Sequence, residues 1–130
     1  CGCGRCGCLE AYVGGRSLLH RYAKAKKIST KGLTPEMVLT RDDRLAKKLQ
    51  DEWVTALAVG IGNLINIFNP RQVTLTGGLS LAFKPFAKRF QKILLTQAFK
   101  PGIKYCQVEV SEIQNHAGLL GAAYWAKHHG

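Results

Sequence analysis

Four of the five cysteines fall within the first eight residues, Cys1-Gly2-Cys3-Gly4-Arg5-Cys6-Gly7-Cys8, interleaved with three glycines. Thiolates are soft donors suited to a tetrahedral zinc ion, and glycine permits the positive-φ turns that fold several sulfurs toward one point. Cys1, Cys3 and Cys8 make the pattern C-x-C-x4-C, tighter than the paired cysteines of a zinc finger. The spacing leaves two arrangements open. Three or four sulfurs fill a site within the segment, Cys6 included, or three sulfurs bind with a fourth ligand from upstream; the non-metal alternative is a set of free thiols in a glycine-rich loop. These thiols stand too close together to staple distant elements, and Cys106 stands alone, so a reduced, cytoplasmic, metal-binding use is expected rather than a disulfide framework. Glu10 follows two residues after Cys8; by itself it reads as an acid favoured at a helix N-terminus. No Cys–His pair is placed for nucleophilic catalysis, and Asp42, Asp43 and Asp51 read as members of a charged helical face rather than as a general base.

The elements that must hold these residues are legible in outline. Leu9 to Val13 predicts a short helical turn stopped by Gly14-Gly15. Ser17 predicts the cap of a second helix running to about Lys27. Thr34-Pro35-Glu36 is a helix start, with a capping hydroxyl, a proline in the first turn and an acid near the positive dipole end. Asp42 or Asp43 opens a longer helix whose Leu45, Leu49, Trp53, Leu57, Ile61, Leu64 and Phe68 recur at helical spacing as one apolar stripe. Asn69-Pro70 ends it. Val73 to Thr76 predicts a strand, followed at once by Gly77-Gly78. A helix over Pro85 to Ala98 is expected to bury Phe86, Phe90, Ile93 and Leu94. Pro101-Gly102 predicts a break, Gln107 to Glu112 a second strand, and Ala117 to His128 a last helix with a small-residue face for close packing. Two parallel strands joined by a crossover helix make an incomplete sheet. The chain also opens inside the cysteine motif, so it is expected to be a piece of a longer protein.

The 130 residues carry a formal charge of +11 and a mean hydropathy of −0.06. No apolar run is long enough to span a bilayer. The basic residues spread along helix faces, as in Lys84, Lys88, Arg89 and Lys92, without the interleaved aromatics of a stacking platform, so this segment is not expected to bind nucleic acid.

Three stretches, taken together, resemble the ROK family of repressors, open reading frames and sugar kinases. Cys1 through Glu10 is similar to the family's C-x-C-G-x-x-G-C-x-E run. Asn69-Pro70-Arg71-Gln72-Val73-Thr74-Leu75-Thr76-Gly77-Gly78-Leu79-Ser80 resembles its strand and glycine turn near the nucleotide, and Ala117-Gly118-Leu119-Leu120-Gly121-Ala122-Ala123 resembles its C-terminal helix. The resemblance implies an α/β fold, the C-terminal part of an actin-like ATPase (ribonuclease H-like) lobe, helix-rich, with a short parallel strand pair and a zinc knuckle. It divides the chain into a knuckle and sugar-contact turn (1–15), a helical region (16–69) and a strand–helix–strand–helix nucleotide side (70–130).

By the same resemblance, Cys1, Cys3 and Cys8 hold structural zinc with an upstream His, Glu10 accepts hydrogen bonds from sugar hydroxyls, and Gly77, Gly78 and Leu79 form the turn that adenosine approaches. The implied parent is a cytoplasmic, dimeric kinase that uses ATP and Mg²⁺ to phosphorylate a hexose or N-acetylhexosamine. A sugar-sensing repressor of the same family and a non-catalytic zinc module are the alternatives. The phosphate loops and catalytic Asp of the family lie upstream, so the chain alone is expected to be inactive. Thr76 stands where the family often has another Gly, Cys6 is an additional thiol, and His116 replaces a small or acidic residue.

Overall fold

The computed structural model describes residues 1–111, 113 and 116–129. The helices are α1 (Glu10–Val13), α2 (Gly15–Lys26), α3 (Pro35–Thr40), α4 (Arg44–Phe68), α5 (Ala87–Gln97), α6 (Lys100–Tyr105) and α7 (Ala117–His129), with strands β1 (Gln72–Leu75) and β2 (Gln107–Val110). A 3₁₀ segment, Gly78–Phe86, links β1 to α5. The strands pair in parallel, Val73 opposite Val108 and Leu75 opposite Val110, so the four apolar side chains share the face turned to the core.

Local chemistry explains most boundaries. Thr34 accepts from the Met37 amide at 3.3 Å and Pro35 occupies the first turn of α3. Asp43 caps α4, accepting from the Leu45 and Ala46 amides. Asn69 ends α4 in the left-handed conformation, its amide donating to Ile65. Other expectations need correction. Ser17 caps nothing: α2 begins at Gly15, and Ser17 lies inside it. Pro101-Gly102 does not break the chain, because Pro101 sits in the first turn of α6, where its missing N–H would be unpaired anyway. The helix expected from Pro85 starts at Ala87, after the 3₁₀ segment that contains Pro85. Thr76 falls just beyond β1, β2 ends at Val110, and the expected strand end at Glu112 lies outside the described residues.

The core gathers Leu18 and Tyr22 of α2, Val38 and Leu39 of α3, the inner face of α4, and Phe83, Phe90 and Leu94. The apolar stripe of α4 is not straight. Leu49, Trp53 and Ile61 are buried as expected and Leu45 and Leu57 half-buried, but Leu64 and Phe68 are exposed, while Val54, Ala58, Gly62 and Ile65 are buried instead. Steps of four residues advance about 40° beyond a full turn. The buried face therefore slides round the helix, from α2 and α3 at its start to α5 and α6 at its end. There Gly62 lies against Gln97, and Ile65 lies against Gly102. Among the described residues, no neighbour comes within 4 Å of where Gly118 or Gly121, on the small-residue face of α7, would carry a Cβ, and no α7 residue is buried.

Asp43 also accepts from the Tyr22 hydroxyl at 2.6 Å and faces Lys26 at 3.2 Å. The Tyr22 hydrogen bond, joined by the Ala46 amide and Lys26, holds its carboxyl down at about 2, against an ordinary 3.8. A depressed folded value means that the unfolded chain takes up the proton first. The resulting stability is complete above pH 3.8 and is lost as pH falls toward 2. Urea midpoints measured across this window should fall in the wild type and fall less steeply in Asp43→Asn, which should be the less stable of the two at neutral pH. Parallel pH profiles would contradict this.

Candidate functional site

The cysteine loop turns at Gly4 and Gly7, with φ of 74° and 77°. These turns bring the sulfurs of Cys1, Cys3 and Cys8 within 4.8 Å of one another. Cys3 Sγ lies 2.8 Å from Cys1 Sγ and 3.4 Å from Cys8 Sγ. Ligands about 2.3 Å from a tetrahedral ion stand about 3.8 Å apart, so the trio fits zinc after a slight opening. The Cys3 thiol is drawn below its ordinary value by the Arg5 backbone amide and then by Cys8, which favours the thiolate that a metal requires. Cys6 is exposed and stands outside the trio, and no fourth donor joins it among the described residues.

The loop runs straight into α1, and α4 fixes α1 at both ends. A methyl at Gly60 would stand 2.7 Å from Leu9 Cδ2, so this glycine is the notch that seats Leu9, between Cys8 and Glu10. At the other end the Trp53 indole donates to the Val13 carbonyl at 3.1 Å, satisfying one of the acceptors that a helix C-terminus leaves unpaired. Glu10 occupies the first position of α1. Its carboxylate lies over Gly14, where an added Cβ would meet Glu10 Oε1 at 2.1 Å and the Glu10 carbonyl at 2.7 Å. It has no hydrogen-bond or ion-pair partner among the described residues and is exposed, an open acceptor.

The second candidate group follows β1. Gly77 has φ 96°, and among the described residues no atom lies within 4 Å of a would-be Cβ. Its carbonyl accepts from Ser80, from the amide at 3.1 Å and from Oγ at 2.6 Å, which fastens the turn. Leu79 reaches back to the α1–α2 joint: a methyl at Gly15 would meet Pro35 Cγ at 3.2 Å and Leu79 Cδ1 at 3.5 Å. Glu10 and the Gly77–Leu79 turn, 67 residues apart by number, thus border one joint, Gly14-Gly15. A cleft of about 360 Å³ opens beside it at the carboxyl end of β1, with Val13, Trp53, Thr74, Thr76, Ser80 and Phe83 among its walls. The carboxyl ends of strands are where open α/β sheets take ligands.

Trp53 and Gly60 went unread because both are ordinary helix residues in sequence, and only the α1–α4 contact assigns them work. Ser80, whose hydroxyl-bearing side chain is buried, could have been read from its place just past the glycine turn. His116 is exposed at the lead-in to α7, as a surface residue would be.

A model of the ROK family matches residues 1–129. The chain belongs to the ROK family. N-acetylmannosamine kinase of Haemophilus influenzae is 32% identical over 133 residues, covering 98% of this chain and 41% of the kinase. The xylose repressor of Caldicellulosiruptor bescii is 25% identical over 134 residues, covering 93% of this chain and 34% of the repressor. The crystal structure of a ROK family glucokinase from Streptomyces griseus, in complex with glucose and AMPPNP, superposes with a TM-score of 0.72 and 27% identity over 98% of this chain and 46% of that one. This ROK chain therefore spans less than half of the relatives it matches. Its helix-rich build with a short parallel strand pair is that of the ROK sugar kinases. No helix among the described residues is long and apolar enough to cross a membrane.

The crowding at Gly14 makes a direct test of the Glu10 geometry. Gly14→Ala should displace the carboxylate and open the last turn of α1, lowering stability by about 1–3 kcal/mol, the usual range for overpacking. An unchanged urea midpoint would show that Glu10 does not lie over Gly14.

Proposed function

We propose that this chain is the C-terminal portion of an ATP-dependent ROK sugar kinase that phosphorylates a hexose or an N-acetylhexosamine. The observation that carries this reading is the joint at Gly14-Gly15, where an unpartnered carboxylate and an open glycine turn meet in one body. Glu10 is the sugar contact: a carboxylate accepts from two neighbouring hydroxyls at once. Gly77, Gly78 and Leu79 are the adenosine contact, where the absence of a Cβ lets a ligand lie against backbone. Cys1, Cys3 and Cys8 hold structural zinc, which stiffens the loop preceding Leu9 and Glu10 and so fixes where the carboxylate points. Mg²⁺ and the groups that activate the sugar hydroxyl belong to parts of the relatives beyond this chain's match. Phosphoryl transfer depends on positioning and electrostatics from all these parts together. The full-length protein is expected to act as a dimer. A sugar-sensing repressor is the second reading, favoured by the likeness to the xylose repressor; it shares the sugar contact and the zinc but turns over no ATP.

The deciding experiment is a coupled ATP-turnover assay on the full-length protein with a panel of hexoses and N-acetylhexosamines. Sugar-dependent turnover supports the kinase, while sugar-sensitive DNA binding without turnover supports the repressor. In the kinase, Glu10→Gln should raise the sugar KM and lower kcat by about ten- to a hundred-fold in combination, since a hydrogen bond to a charged group contributes roughly 1.5–3 kcal/mol. The KM for ATP should change little, and unchanged sugar kinetics would remove Glu10 from the site. Metal analysis should find about one zinc per chain, lost in Cys3→Ser/Cys8→Ser. A reduced wild-type protein without metal would contradict the zinc assignment.

A further inference from the structure

We propose that Glu36 recognises the nucleoside end of the bound nucleotide, accepting hydrogen bonds from the ribose hydroxyls beside Gly77–Gly78; the inference rests on the kinase reading above. Glu36 stands in the first turn of α3, half-buried. Among the described residues, a methyl built on Gly78 would meet a single neighbour within 4 Å, Glu36 Oε1 at 3.8 Å, and one built on Gly77 would meet none. One carboxylate among the described residues thus stands at the edge of the glycine turn.

The use of the other acids singles out this one. Among the described residues Asp42 pairs with Lys47, Asp43 with Tyr22 and Lys26, Asp51 with Arg89, Glu52 with Arg21, and Glu109 with Gln72. Of the described acids, Glu10 and Glu36 alone have no side-chain partner among the described residues, in a chain with 19 Lys and Arg residues. Both border the same joint: Glu10 lies over Gly14, and Pro35, next to Glu36, packs at Gly15. Two carboxylates left open at one place, while the rest are engaged, point to ligand groups that carry donors.

The charge decides which part of the nucleotide Glu36 faces. A carboxylate repels phosphates, so it suits the uncharged end. A ribose offers two adjacent hydroxyl donors to its two oxygens, the same complementarity by which an acidic residue holds a ribose 2′-hydroxyl in dinucleotide-binding folds. The test is steady-state kinetics of the full-length protein with ATP and with 2′-deoxy-ATP. The wild type should prefer ATP. Glu36→Gln should raise the KM for ATP about tenfold, raise that for 2′-deoxy-ATP clearly less because only the 3′-hydroxyl contact is lost there, leave the sugar KM nearly unchanged, and so narrow the preference. Equal losses with both nucleotides, together with a lowered melting temperature, would assign Glu36 a role in holding α3 and overturn the inference. A wild type with no preference for the 2′-hydroxyl would overturn it without any variant, while leaving the kinase reading intact. No ATP turnover at all would overturn that reading and this one together.

Discussion

One side chain, Trp53, joins the two halves of the candidate site. Its indole N–H holds the C-terminal carbonyl of α1, and its ring packs edge-on against Phe86 at 5.4 Å and Phe83 at 6.5 Å, in the 3₁₀ segment that follows the glycine turn. A large buried aromatic contributes about 1.5–3 kcal/mol through burial, and each edge-on ring pair about 0.5–1.5 kcal/mol more. The hydrogen bond adds about 1 kcal/mol, but its loss would also leave a carbonyl unpaired against the core. By comparison, the surface ion pairs of α2, α4 and α5 contribute about 0–1 kcal/mol each. The position of Glu10 relative to Gly77 and Gly78 therefore depends on aromatic packing around one residue of α4, not on the many charges that dominate the composition.

Around that contact α4 acts as the shared wall of the molecule. Its first half faces α2 and α3, its middle receives Leu9 in the Gly60 notch, and its last turns seat α5 and α6 against Gly62 and Ile65. The two glycines matter because each lies where another segment, at Leu9 or at Gln97, comes within van der Waals distance of the helix. A helix that must meet partners on successive sides cannot keep one stripe, which is why its hydrophobic residues recur in steps of four rather than in a strict three-four alternation.

The sequence disclosed what local chemistry decides. Thr34-Pro35, Asp43 and Asn69-Pro70 mark helix ends because a cap, a proline or a left-handed residue acts within one turn. The β-branched run at Val73 marks a strand, and the close spacing of Cys1, Cys3 and Cys8 brings their sulfurs together whatever the rest of the chain does. What stayed hidden depends on distant partners. Leu64 and Phe68 match the periodicity of a core face, yet they are exposed because the buried side of α4 has already turned toward α5. Ser17 is a good cap by type, but Gly14, extended at φ −69° and ψ 135°, had already started the helix. Pro101 looked like a break because a proline at the start of a helix and one at its end are the same letter. The resemblance implied separate roles for Glu10 and for Gly77–Leu79; that they border one joint, through Gly15 against Pro35 and Leu79, has no signal in any local window.

The central claim is that Trp53 holds the proposed sugar contact, Glu10, and the proposed nucleotide contact, Gly77–Leu79, as one body. Trp53→Phe keeps an aromatic ring in the core and removes the donor to Val13. Calorimetric titration of the full-length variant with its sugar and, separately, with AMPPNP tests the claim most directly. The account predicts that both affinities weaken together while the protein remains folded. Loss of one affinity with the other untouched, or wild-type affinity for both, would contradict it.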